Sequence, residues 1–137
     1  MPTALVQTYS RNKLSPLYND DGQGKVNVQL IASTTYAAGT VLGEVLATPG
    51  LYGAYVTGHV DGTQTAKALL EYACVTDASG NITMDGEWGA TYPSAPAYLP
   101  TRRQWNAADI VGLDAAGLTA LGGVISEGII TAGTLTI

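Results

Sequence analysis

Residues 38–75 read AGTVLGEVLATPGLYGAYVTGHVDGTQTAKALLEYACV. Three apolar, β-prone pieces stand in this stretch: Thr40–Leu46, Leu51–Val56 and Ala66–Val75. Pro49-Gly50 and Asp61-Gly62 cut them apart with strong turn signals. The segment carries no reactive constellation. It predicts a small β-barrel or sandwich whose product is a shaped surface, and such a fold works by binding.

Outward from this stretch the β pattern continues. Lys25–Leu30 alternates polar and apolar residues, as a half-buried strand does. Asp77–Asn81 is a short polar loop between β-prone runs, which predicts a hairpin into Ile82–Trp88. Gly89–Pro100 carries Pro93, Pro96 and Pro100 with Tyr92 and Tyr98, and reads as an extended loop, because proline removes a ladder donor. Asn106 is placed to cap a short helix ending before Gly112. Asp114 is placed to cap a second, Ala115–Leu121, with Leu118 and Leu121 turned to the core and Gly122-Gly123 as its stop. The chain closes on β-prone Ile129–Thr131 and Thr134–Ile137. The class is mainly β, with one or two short helices near the C-terminus.

Residues 1–24 differ. They are polar, broken by Pro2 and Pro16, and closed by Gly22 and Gly24. They read as a flexible N-terminal arm ahead of a β-rich domain spanning 25–137. The arm's apolar residues, Leu5, Val6, Tyr9, Leu14, Leu17 and Tyr18, belong either to a frayed terminus or to a segment that binds a partner surface.

Composition narrows the function. Of 137 residues, 12% are charged, well under the usual ~25%. A surface so poor in charge suits a protein covered by partners. The aromatic set is 8 Tyr, 2 Trp and no Phe, and Tyr and Trp favour interfaces. A net charge of -5 opposes binding to nucleic acid, where affinity comes from neutralising phosphates. The lone Cys74 fits a reducing compartment and a buried, inert thiol. No apolar run approaches the ~18 residues of a membrane span, and MPTALVQTYSRNK lacks the plan of a signal peptide.

Catalytic templates fail one by one. Ser79 and Ser126 have Asp77 and Val124 where a nucleophile elbow needs glycine. Gly24-Lys25 continues into Val26, not Ser or Thr, so there is no P-loop, and a dinucleotide fingerprint starting at Gly22 fails at Asn27. His59 has no ligand partner at metal spacing and reads as a turn residue. A calcium loop on Asn19–Gly22 would need its closing glutamate where Val28 stands. Glu44, Glu71, Asp85 and Glu87 read as solvated side chains rather than a glycosidase pair. No enzyme, metal or cofactor is expected.

The order of motifs in the central segment is informative. Gly39-Thr40-Val41-Leu42-Gly43 is followed by Gly53-Ala54-Tyr55-Val56. Asp61-Gly62-Thr63-Gln64-Thr65-Ala66 then leads into the apolar strand Ala68–Ala73, Asp85-Gly86-Glu87-Trp88 and a closing Leu118–Ile130. Over residues 26–131 this resembles the lambda-type head decoration proteins of tailed bacteriophages. The loop Gly89–Arg103 is longer than the family pattern, and Gly133–Ile137 extends past its usual end.

The resemblance implies a trimer at three-fold positions on the outside of an expanded capsid, made in the host cytoplasm and carried in the virion. There it would cement neighbouring major capsid subunits against the pressure of packaged DNA. It also implies an arm that orders on the capsid. Leu5, Val6, Thr8 and Tyr9 would add a strand to the capsid protein, and Leu14, Leu17 and Tyr18 would fill apolar pockets. Tyr92, Pro93, Pro96 and Tyr98 are expected to make subunit or capsid contacts. A different class, a carbohydrate- or receptor-binding β-module, would use Tyr and Trp as stacking platforms.

Overall fold

The alternation of Lys25–Leu30 produces a strand, β1, that buries Val28 and Leu30 and exposes Asn27 and Gln29. In a computed structural model the described residues are 13–15, 25–84, 90–99, 103–126 and 128–132. After β1 come β2 (Thr35–Tyr36), β3 (Val41–Glu44), β4 (Leu51–Ala54), β5 (Ala68–Leu70), β6 (Cys74–Thr76), β7 (Ile82–Met84), β8 (Ala95–Tyr98) and β9 (Arg103–Asn106). A 3-10 turn at Ala107–Asp109, helix α1 (Ala115–Ala120), β10 (Val124–Ser126) and β11 (Ile129–Ala132) complete the order.

The protein is mainly β and is built on a closed five-stranded barrel in the order β1-β4-β3-β5-β8. The β1–β4 pair is parallel and the other pairs are antiparallel, with β8 closing on β1 through Lys25↔Tyr98 to Val28↔Ala95. Two three-stranded sheets flank the barrel, β10-β11-β9 and β2-β6-β7.

Successive strand residues point to opposite faces, and the barrel wall is apolar on both. Leu42, Ala68, Leu70, Ala95 and Ala97 join Val28 and Leu30 in one buried cluster, which also takes in Tyr36, Cys74 and Ile82 from the small β2-β6-β7 sheet. The alternate residues Val41, Leu69 and Tyr98 join a second cluster with Trp105, Leu121 and Ile130. That second face is covered by elements from the C-terminal part of the chain. The glycines of the quoted motifs make these close approaches possible. A Cβ on Gly39, whose φ is +82°, would sit 2.0 Å from the Asp109 carbonyl oxygen, and one on Gly43 would sit 2.6 Å from the Thr63 Cα.

The expected caps form. The Asn106 side chain accepts from Ala108 N–H, and Asp114 accepts from Gly117 N–H at 2.7 Å. Leu121 is buried and Leu118 packs beside it. Asp77 organises the β6–β7 hairpin by accepting from Ser79 and Asn81 N–H, each at 2.9 Å.

Three expectations are corrected. Ala66–Val75 is not one strand: β5 ends at Leu70 and β6 begins at Cys74 in a different sheet. Between them sits Glu71, read from sequence as solvated but buried here. Gly89–Pro100 is not all loop, because β8 lies between β1 and β5 in the barrel. Pro96 is tolerated because the N and C=O of one strand residue point to the same edge. Its carbonyl accepts from Glu71 N–H at 3.2 Å, so the missing donor falls just past the end of β5 and leaves the β1 ladder intact.

Candidate functional site

Large apolar side chains exposed on turns stand out against this closed body. Leu46, in the β3–β4 connection, is 70% exposed, and Val60, in the β4–β5 connection, is 92% exposed; Val56 is also exposed. The two connections are tied together, since Leu46 N–H donates to the Asp61 carbonyl at 2.9 Å.

The turn that carries Val60 is pinned by its own polar residues. Asp61 Oδ1 accepts from Thr63 N–H at 3.0 Å and from Thr63 Oγ1 at 2.6 Å. The hydroxyl proton of Thr63 is thereby committed, so His59 Nδ1 donates to Thr63 Oγ1 across 2.7 Å. These hydrogen bonds from Thr63 hold the Asp61 carboxyl below its usual pKa. Gly62 takes φ +110°, and a Cβ there would lie 2.3 Å from the Glu44 carbonyl oxygen. Thr63 itself is buried. A fixed turn therefore holds Val60 in water beside Leu46. Glu44 closes the neighbouring turn by accepting from Gly50 N–H at 2.9 Å, which lowers its pKa, with Lys67 3.2 Å away.

A second polar cluster joins the long β4–β5 connection to α1. Asp114 accepts from Tyr55 OH at 2.6 Å and from Thr57 Oγ1, beside its helix-capping bond. The bonds from Thr57, Tyr55 and Gly117 hold the Asp114 carboxyl below its ordinary pKa, and the Tyr55 hydroxyl is raised by Asp114. A third feature is an open groove of about 360 Å³ between Gln29–Ala32, Leu51, the Ser79–Asn81 hairpin tip and Pro93.

The expected contact residues are dispersed. Leu5, Val6, Thr8, Tyr9, Leu17 and Tyr18 lie outside the described residues, as do Asp85–Trp88 and Thr134–Ile137. Leu14 is 1% exposed in the free chain and belongs to the barrel's own second cluster. Tyr98 is fully buried, with its ring edge-on to Trp105 at 4.8 Å. Pro96 is a half-buried residue of β8. Tyr92 is half-buried and exchanges both backbone hydrogen bonds with Ile82. Pro93 alone of that set is exposed.

Leu46 and Val60 escape a reading of the sequence by β pattern. Their signal is local: Val60 lies within the turn run Gly58–Gly62 and Leu46 directly precedes the turn run Ala47–Gly50, just past the end of β3.

Cys74 is buried and desolvation raises its thiol pKa to about 11, so it is neutral at physiological pH. Among the described residues no group of three His, Cys, Asp or Glu could hold a metal ion, and no helix is long and apolar enough to cross a membrane. Comparison with protein-family models, curated proteins and solved structures gives no match.

Proposed function

We propose that this chain is a phage capsid decoration protein that binds the outer surface of the expanded capsid as a trimer at three-fold sites and cements adjacent major capsid subunits. The observation that carries this reading is the pair Leu46 and Val60, held in water on pinned turns of a closed barrel. The two side chains sit on connections bonded to one another, and apolar groups gathered at one part of a surface gain from being covered. Because the turns are already ordered, covering them incurs little conformational entropy. The order of glycine motifs along 39–66 agrees with the same family. A net charge of -5 keeps such a protein off packaged DNA.

The glycan-binding alternative draws less support. Stacking platforms must be exposed, and among the described aromatics Trp105, Tyr36, Tyr55 and Tyr98 are buried while Tyr52, Tyr72 and Tyr92 are half-buried.

The test is to mix the protein with expanded and unexpanded capsids of a tailed phage whose genome encodes it and to image both. Added density at three-fold positions of expanded capsids alone is the expected result. Bare expanded capsids at saturating protein would overturn the proposal.

A further inference from the structure

Lys13–Ser15 lies across the barrel where β5 ends. Lys13 and Ser15 are exposed while Leu14 between them is buried among Val41, Leu69, Tyr98 and Trp105. Leu14 N–H donates to the Glu71 carbonyl at 2.6 Å. That carbonyl is left over by the barrel: Glu71 N–H donates to the Pro96 carbonyl, and Pro96 has no N–H to return. Lys13 forms an antiparallel bridge with Tyr72, and its ammonium stands 5.8 Å from the Tyr72 ring.

The Glu71 carboxylate is the node beneath this segment. Its Oε2 receives Lys25 Nζ at 2.9 Å and Tyr98 OH at 3.0 Å, with Lys13 Nζ farther off at 4.0 Å. If Lys13 leaves, Lys25 and Tyr98 still pair the buried charge. Departure of the segment therefore uncovers one leucine and one backbone carbonyl but strands no charge, which is the costly event in a buried site.

We propose that Lys13–Ser15 is a releasable strap, docked in the free protein by Leu14, that leaves the barrel without global unfolding and uncovers the Leu14 seat and the Glu71 carbonyl. Its use on a capsid rests on the decoration function, whereas the docking equilibrium does not.

Native-state hydrogen exchange on the full chain tests it without any capsid. Burial of one leucine and one hydrogen bond correspond to protection of the Leu14 amide by about 30- to 2000-fold over an unstructured chain. The amides of Leu70 and Tyr55, bonded within the barrel body, should be protected at least tenfold more strongly. Leu14→Ala should bring the amide at position 14 close to the unstructured rate. Lys13→Ala should change it less than threefold, because that ion pair is long and its lysine half-exposed. An unprotected Leu14 amide in the wild-type chain would show that the strap is not docked. Protection equal to that of Leu70 would show that it leaves only on global unfolding. Either result overturns the proposal. A protected strap on a protein that ignores capsids would keep the strap and retire the decoration function.

Discussion

Replacing Leu46 and Val60 together by serine separates binding from folding. Both side chains are mostly in water, so the double variant should keep its stability to within about 0.5 kcal/mol per site. The loss should appear on binding. Full burial of a leucine or valine stabilises by about 1.5–3 kcal/mol. Scaled by the exposed fractions of 70% and 92%, Leu46 has about 1–2 kcal/mol and Val60 about 1.5–3 kcal/mol left to gain in an interface that covers them. The pair therefore contributes about 2.5–5 kcal/mol per protomer, which weakens Kd by about 60- to 4000-fold when removed. Co-sedimentation of labelled protein with expanded capsids across a concentration series measures this directly, with thermal unfolding run in parallel. Binding within threefold of wild type, at unchanged Tm, would show that these turns face solvent in the assembly and would remove the observation on which the function rests. A large fall in Tm would show instead that the two residues support the fold.

Other outcomes follow from the same contacts. Asp114→Ala should lower Tm by removing the cap of α1 and the partner of Tyr55 and Thr57. Because the folded pKa of Asp114 is depressed, its contribution is complete above the ordinary aspartate value near 4 and fades as pH falls through the lower folded value, so the Tm gap between the two proteins should close in acid. Cys74 should resist a disulfide exchange reagent at pH 8 in the folded protein and react within minutes in denaturant; fast reaction of the native thiol would contradict its burial. Ser33 is exposed at φ 57°, a left-handed conformation that a side chain disfavours. Ser33→Gly should raise stability by up to about 1 kcal/mol in chemical denaturation, and a loss would show that the serine side chain supports that turn.

Much of the fold was legible because its signals are local. The alternation in Lys25–Leu30, the turns at Pro49-Gly50, Asp61-Gly62 and Asp77–Asn81, and the caps Asn106 and Asp114 each depend on a few neighbouring residues, and each forms as expected. The interaction surface was less legible. Leu46 and Val60 have the composition of core residues, and only the positions of their turns leave them in water. Tyr92–Tyr98 has the composition of an interface, yet Tyr98 is fully buried in it.

What the sequence by itself determined is a set of short strands, their turns and the glycines that let them meet. What only the tertiary structure decided is which face each strand covers. Ala66–Val75 looks continuous because β5 is buried on both sides, and it breaks after Leu70 because β6 pairs in the separate β2-β6-β7 sheet. Pro96 sits inside a barrel because the hydrogen bond it cannot make points past the end of a neighbour. These are consequences of which edges and faces meet across long sequence separations, and local propensity carries no record of that.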